Sequence, residues 1–266
     1  MPRVKRSEAE QQLVDSAGPE FLEALARGLR VIEAFGSDRR QLTLSDAAKA
    51  VGLPRASVRR TLSTLVQLGY AETDGRLFRL TPRILGLASS YLQANPLTDI
   101  IQPALERTSA ALNEACSCAV PDGNDVVMIA HASPNRLVAV SAQIGLRLPA
   151  ASSSLGRIML AALDDRALDW HLARIKPAKL TPTTVTDKAE IRKAILKARA
   201  DGYSLVDQEV EIGFRSISVP LRRLDGKVIA ALNIGTHSER CSLDTMRKVF
   251  LPELIETAGE LRRQLI

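Results

Sequence analysis

The sequence predicts an α+β chain of two unequal domains, and three observations carry that reading. At 266 residues the chain is long enough for one or two domains with a sizeable core. Helical spacing of apolar residues dominates the first third, whereas helical patterns and strand-like runs bounded by turn signals alternate beyond it. Between the two lies Asn95-Pro96, a break that places the boundary at Pro96. Apolar residues make up 45% and aromatics only 3%, so the cores must be aliphatic.

Residues 1–18 are polar and charged and read as a mobile arm, solvated or resting on a polyanion. Residues 19–82 read as the first domain. From Pro19 to Phe35, Phe21, Leu22, Leu25, Leu29, Ile32 and Phe35 recur at three and four, which predicts an amphipathic helix ended by Gly36. Thr43 or Ser45 can cap a second helix, Asp46 sits in its first turn, and Ala47, Ala48 and Val51 form its packed side. Gly52 ends that helix and Pro54 opens a third. Ala48, Gly52 and Val58 supply the small crossing residue, the turn glycine and the apolar anchor that two steeply crossing helices need.

Val58, Leu62 and Leu65 form the buried face of the third helix. Arg55, Ala56, Ser57, Arg59, Arg60, Ser63 and Thr64 are then left on its outer face. After Gly69, Tyr70–Glu72 and Leu77–Leu80 read as strands joined through Thr73-Asp74-Gly75-Arg76, a hairpin signal. Two crossed helices followed by such a hairpin outline a winged helix-turn-helix. Residues 54–83 hold six arginines and two acids, a local basic surface suited to nucleic acid. The candidate DNA contacts are therefore Thr43, Ser45, Arg55, Ser57, Arg59, Arg60, Ser63 and Thr64, with Arg76 and Arg79 at or near the wing. The alternative for these groups is a solvated arginine-rich face. Residues 83–96 read as a linker, helical over 84–94.

Residues 97–266 read as a larger domain. Helices are expected over Ile100–Ala115 (Ile101, Leu105, Ala111 and Leu112 inside), Ser152–Leu163, Asp164–Arg174, Lys188–Asp201 and Leu243–Leu265. Strands are expected near 116–121, 125–132, 137–144, 203–207, 215–221 and 227–235, with loops at 145–151 and 175–186.

Catalytic patterns are missing: there is no G-x-S-x-G, H-E-x-x-H, P-loop or G-x-G-x-x-G. Cys116 and Cys118 share one strand face, and with His131 and Cys241 they could be drawn as a zinc set. The spacing matches no zinc pattern, so they read as core residues, and neither a metal nor a cofactor is expected. Three cysteines imply no disulfide framework. With no secretory h-region and no run of 18 apolar residues, a cytoplasmic location without membrane contact is the expectation.

The stretch GLRLPAASSSLGRIMLA (145–161) leads a Gly/Pro loop through three serines into a helix. Free amides at a helix N-terminus suit a carboxylate, which makes Ser152, Ser153 and Ser154 anion-site candidates. Arg147, Arg157 or Arg215 could add charge. The alternative is one capping serine and two solvated ones. Phe214 in Gly213-Phe214-Arg215-Ser216 is either core or a pocket wall.

Taken in order, LARGLRVIEAF, LSDAAKAVGLPRASVRRTLSTLVQLGY, LPAASSSLGRIMLA, DGYSLVDQEVEIGFRSISVPL and GKVIAALNIGTHS resemble the IclR family of bacterial transcription regulators over about 240 residues. RLPAASSSLGRIML and SERCSLDTMRKVFLPEL look like the branch that regulates protocatechuate and 4-hydroxybenzoate catabolism in the β-ketoadipate pathway. The resemblance implies a winged helix, a linker helix involved in dimerisation and a GAF-like effector domain. It also implies binding to double-stranded operator DNA as a homodimer or a dimer of dimers (homotetramer), and RNA polymerase as a partner in an activator. The family's pocket positions fall on Leu137, Val140, Leu148, Ser154, Leu155, Val206, Phe214, Ser216, Asn233 and Gly235. Val206, Asn233 and Gly235 depart from members that bind two- or three-carbon acids, so a larger, aromatic carboxylate is expected as effector. The rival readings are an enzyme acting on a small acid with an accessory DNA-binding domain, and a DNA-binding protein without effector response.

Overall fold

A computed structural model describes residues 18–36, 38–134 and 143–265. The chain divides into two compact units, Met1–Ala94 and Asn95–Ile266. Each is described by itself.

In the first unit, α1 spans Glu23–Glu33, β1 Leu42–Thr43, α2 Leu44–Val51, α3 Arg55–Gln67, β2 Ala71–Thr73 and β3 Leu77–Leu80. A 3-10 turn, Pro82–Ile84, leads into α4, Leu85–Ala94. α2 starts in a capping box: the Thr43 hydroxyl accepts from the Asp46 amide at 3.2 Å, and the Asp46 carboxylate accepts from the Thr43 amide at 3.4 Å and from its hydroxyl at 2.7 Å. Gly52 ends α2 at φ +65°, a conformation other residues adopt at a cost. Ala47, Ala48, Val51, Val58, Leu62 and Leu65 close the core, as their spacing predicts.

Two features go beyond the sequence expectation. The amphipathic helix expected over Pro19–Phe35 is confined to Glu23–Glu33, and its apolar stripe divides. Ile32 and Phe35 pack on the core, but Phe21, Leu22, Leu25 and Leu29 are exposed, and Val31 is the residue that goes fully inside. Periodicity reports an apolar face without saying what covers it. The hairpin also carries a third strand: β1 pairs with β3, Leu42 opposite Phe78, giving the order β1-β3-β2.

In the second unit, α5 (Leu97–Leu112) precedes β4 (Ala115–Asp122), β5 (Asp125–Ala132) and β6 (Arg147–Pro149). α6 (Ser154–Ala161), α7 (Asp165–Arg174) and α8 (Lys188–Asp201) follow, then β7 (Ser204–Asp207), β8 (Phe214–Arg222) and β9 (Val228–His237). The C-terminal segment has a first turn Leu243–Thr245, a π-helical turn Met246–Phe250 and α9, Leu251–Arg262. The strands form one antiparallel sheet in the order β6-β5-β4-β9-β8-β7.

Alternation sorts the sheet into two faces. Cys116, Cys118, Ile217, Val219, Leu232 and Ile234 meet α5 and the C-terminal segment, so both strand cysteines are core residues. Burial pushes the Cys116 thiol up to about 12. Among the described residues no group of His, Cys, Asp and Glu could hold a metal. On the other face Ala119 and Ala231 pack under α6, α7 and α8. α6 lies so close to the preceding turn that a Cβ on Gly156 would stand 2.1 Å from the Ala150 Cα.

Several boundaries move. α5 begins at Leu97 and stops where Asn113 turns left-handed (φ 54°), and Ala111 is exposed rather than inside. The expected strand near 137–144 falls mostly outside the described residues, and Ile144-Gly145 is a turn. The expected loop 145–151 contains β6, which adds an edge strand to β5. α6 is shorter than predicted because Ser153 caps it. The final helix is interrupted by the π turn, which places Met246 and Phe250 in the core.

Candidate functional site

Two surfaces follow from this architecture. In the first unit, packing of Val58, Leu62 and Leu65 turns Arg55, Arg59, Arg60, Ser63 and Thr64 to the exterior, with Ser57 half-buried. The outer stripe carries cations and small hydroxyls, which can meet phosphates and base edges. The Thr64 hydroxyl donates to the Arg60 carbonyl at 2.9 Å, and Thr43 is engaged in its capping box, whereas Ser45 is exposed in the first turn of α2. At the hairpin tip the Asp74 carboxylate accepts from the amides of Arg76 and Leu77, both at 2.8 Å. The same bonds hold its pKa below the usual carboxylate value. Arg76 is exposed beside this turn. Arg79 lies back on β3, its guanidinium 2.6 Å from the Glu72 carboxylate directly opposite.

The second surface is internal. A cavity of about 110 Å³ lies between the N-terminal end of α6 and the sheet, lined by polar and apolar groups of β4, β8 and β9. Ser153 accepts from the Gly156 amide at 3.1 Å while its hydroxyl donates to the Pro149 carbonyl at 2.9 Å. It is therefore the helix cap. The first-turn residues Ser154 and Leu155, whose amides have no partner inside the helix, line the cavity. A hydroxyl chain crosses from helix to sheet: Ser154 stands 2.7 Å from both Ser216 and Ser218.

Strand register aligns two rows, of which Ala115, Ser117, Ser216, Asn233 and Gly235 line the cavity while His131 and Ser218 flank it. His131, Ser117, Asn233 and Ser218 are direct cross-strand partners in one row, and Ala115, Gly235 and Ser216 form the next. Ser117 is hydrogen-bonded to His131 Nδ1 at 2.9 Å, and desolvation pulls the His131 pKa below its ordinary value. Asn233 is 4% exposed and its Oδ1 has no partner. Such a group costs about 1–3 kcal/mol unless something completes it. Gly235 leaves room for the Phe214 ring, which a Cβ there would meet at 2.6 Å.

The predicted residues therefore separate. Leu148, Ser153, Ser154, Leu155, Phe214, Ser216, Asn233 and Gly235 line the cavity. Ser152 and Val206 are buried but do not line it, and Leu137 and Val140 lie outside the described residues. None of the three arginines offered for charge is available. Arg157 forms a buried two-pronged pair with Glu209 (2.7 and 2.8 Å) and donates to the Ala151 carbonyl. Arg215 binds Asp207 at 2.6 Å and the carbonyls of Ser238 and Cys241, and Arg147 pairs with Asp122 and Asp125 at the surface. Ala115, Ser117, Met128, Leu146, Val210 and Glu211 also line the cavity and escaped the sequence reading. For Ser117 the signal was present: it alternates with Cys116 and Cys118 and so faces away from them.

Comparison with known proteins places these units. The model for the IclR helix-turn-helix domain matches residues 24–75, and that for the bacterial transcriptional regulator IclR C-terminal matches residues 89–263. The chain is 41% identical over 265 residues to the Pca regulon regulatory protein of Pseudomonas putida, covering 99% of this chain and 91% of that one. It is 34% identical over 249 residues to the p-hydroxybenzoate hydroxylase transcriptional activator of Acinetobacter baylyi, covering 91% and 92%. An IclR homolog from Microbacterium hydrocarbonoxydans, solved in complex with 4-hydroxybenzoate, superposes with a TM-score of 0.75 at 29% identity, covering 91% of this chain and 98% of that one.

Arg157→Met leaves Glu209 buried and unpaired, so chemical denaturation should show a loss of about 3–5 kcal/mol. Arg157→Met combined with Glu209→Leu should recover much of it. Equal stability of the single variant and the parent would contradict the role given to this pair.

Proposed function

The chain belongs to the IclR family of bacterial transcription regulators, and from that premise we propose that a single-ring hydroxy-aromatic acid in the α6 cavity controls how its α3 face engages operator DNA. One observation supports the ligand class above the others. The cavity is lined by the first-turn residues Ser154 and Leu155 at one end and by Asn233, whose Oδ1 is unpartnered, on its floor; its lining holds no cation, and its one carboxylate belongs to the exposed Glu211. The amides and the Ser154 hydroxyl suit a carboxylate, and Asn233 suits a ring hydroxyl. At about 110 Å³ the cavity is smaller than the ~150 Å³ cavity that admits benzene, which limits the ligand to a single ring. The relatives carry names from hydroxybenzoate and Pca regulation, and the Microbacterium homolog holds 4-hydroxybenzoate.

The DNA-facing residues of this reading are Thr43, Ser45, Arg55, Ser57, Arg59, Arg60, Ser63, Thr64, Arg76 and Arg79. Arg59 and Arg60 carry most of it, being exposed with no carboxylate paired to them among the described residues. Arg79 is the weakest member, since Glu72 already holds it. The exposed Phe21 and Leu22 just before α1, Leu25 and Leu29 on it, and Leu85 and Leu87 of α4 support a homodimer, because a soluble chain seldom leaves such a set in water. No helix among the described residues is long and apolar enough to cross a membrane, and the proposed location is the cytoplasm.

Arg59→Ala with Arg60→Ala should weaken operator binding by about 1–3 kcal/mol per lost base contact and reduce the salt slope by about 0.9 per lost phosphate contact. Unchanged anisotropy titrations at moderate salt would remove α3 as the reading helix. For the ligand, calorimetry with 4-hydroxybenzoate and benzoate should favour the hydroxylated acid in the parent chain. Asn233→Leu should erase most of that preference, about tenfold for one hydrogen bond of roughly 1.4 kcal/mol. If both acids lose affinity equally, Asn233 does not read the hydroxyl.

A further inference from the structure

The sheet and α6 have a second end. The cavity above touches the start of β4 and β8, the end of β9 and the first turn of α6. At the opposite end of the same strands, a recess of about 860 Å³ lies between the β4–β5 turn, the β8–β9 turn, the last turn of α6 and α7. Its floor is apolar, with Val126 and Leu160 almost fully buried.

His171 of α7 lines this recess. The residue is 8% exposed, and its Nε2 has no hydrogen-bond partner. A buried imidazole nitrogen without a partner is costly to maintain. At the rim, Arg222 and Lys227 are exposed and neither side chain forms an ion pair among the described residues; Arg222 donates to the Gly226 carbonyl, and the Asp225 carboxylate accepts from the Lys227 backbone amide and is tied to Arg223. Of the carboxylates in the same lining, Asp125 is paired with Arg147 and Asp164 caps the Ala167 amide while keeping its charge, so Arg222 and Lys227 leave one net positive charge. The local balance thus favours an anion beside an apolar floor. Trp170 also lines the recess with 62% of its surface exposed, and Arg174 stacks on its ring at 4.3 Å.

We propose that this recess is a second small-molecule site, distinct from the α6 cavity, for a carboxylic acid with an apolar body. The carboxylate lies among Arg222, Lys227 and His171 Nε2, which it partners as acceptor, and the body lies on Val126, Leu160 and the Trp170 ring. Its volume admits acids too long for the one-ring cavity.

Trp170 is the only tryptophan of the chain, so its emission reports on this recess and not on the cavity. Octanoate is a suitable probe because it is optically silent. Titrating the full chain should give a saturable change in emission, with 1-octanol producing a far weaker one. Arg222→Ala with Lys227→Ala, both at exposed positions, should raise the half-saturation concentration at least about tenfold, the loss expected when charge-assisted hydrogen bonds are removed. His171→Leu should also weaken the response with no fall in thermal stability, and Asn233→Leu should leave it unchanged. The proposal is overturned by the absence of a saturable change or by equal response to octanol. It is overturned equally by a half-saturation indifferent to the double substitution, or by a signal that follows protein concentration instead of octanoate.

Discussion

The buried pair between Arg157 and Glu209 holds the functional half of the second unit together. Arg157 leaves the second turn of α6, reaches back to the Ala151 carbonyl and grips both oxygens of Glu209. Glu209 also accepts from the Val185 amide, and its own carbonyl accepts from the Thr184 hydroxyl. One ion pair thereby ties the helix that opens on the cavity to the 181–185 loop and to the segment that carries Val210, Glu211 and Phe214 to the cavity wall. Two charges are acceptable in this interior because nearly every donor and acceptor is matched. Removal of one partner would leave the other without compensation.

The same pair decides the chemistry of the site. An arginine in that position would be the obvious clamp for a carboxylate, yet its fork is filled by protein. No cation is left in the lining: beside the carboxylate of Glu211 it offers first-turn residues of α6, the hydroxyls of Ser117, Ser153, Ser154 and Ser216, and a carboxamide whose oxygen is unpartnered. Neutral donors discriminate by geometry and by the penalty of an unmatched group, whereas a cation would attract acids of any shape. Serving as a sensor needs little more than such discrimination, provided the acid binds the operator-competent states with different affinity.

Much of this was legible in the sequence, and the losses have identifiable causes. The α2–α3 core could be read because 48, 52, 58, 62 and 65 follow helical spacing, which is local information. Ser153 and Ser154 stood out because a helix start is local as well. Arg157 could not be read correctly, since its partner lies 52 residues away and only the fold brings Glu209 to it. Ser218 and His131 entered through strand register, which is also long-range. The apolar stripe at α1 was seen, but spacing alone does not say what covers it: Phe21 and Leu22, just before the helix, and Leu25 and Leu29 on it lie exposed on this chain. The β1 strand was missed because a two-residue strand has no periodicity to detect.

A crystal structure of the chain grown with 4-hydroxybenzoate decides whether a one-ring acid is held in the α6 cavity without a cation. The ring is expected between α6 and the β4–β9–β8 floor, with the carboxylate within hydrogen-bonding distance of the Ser154 or Leu155 amide and the hydroxyl at Asn233. An empty cavity with the acid bound elsewhere, or a carboxylate paired with Arg157 after release of Glu209, would contradict it.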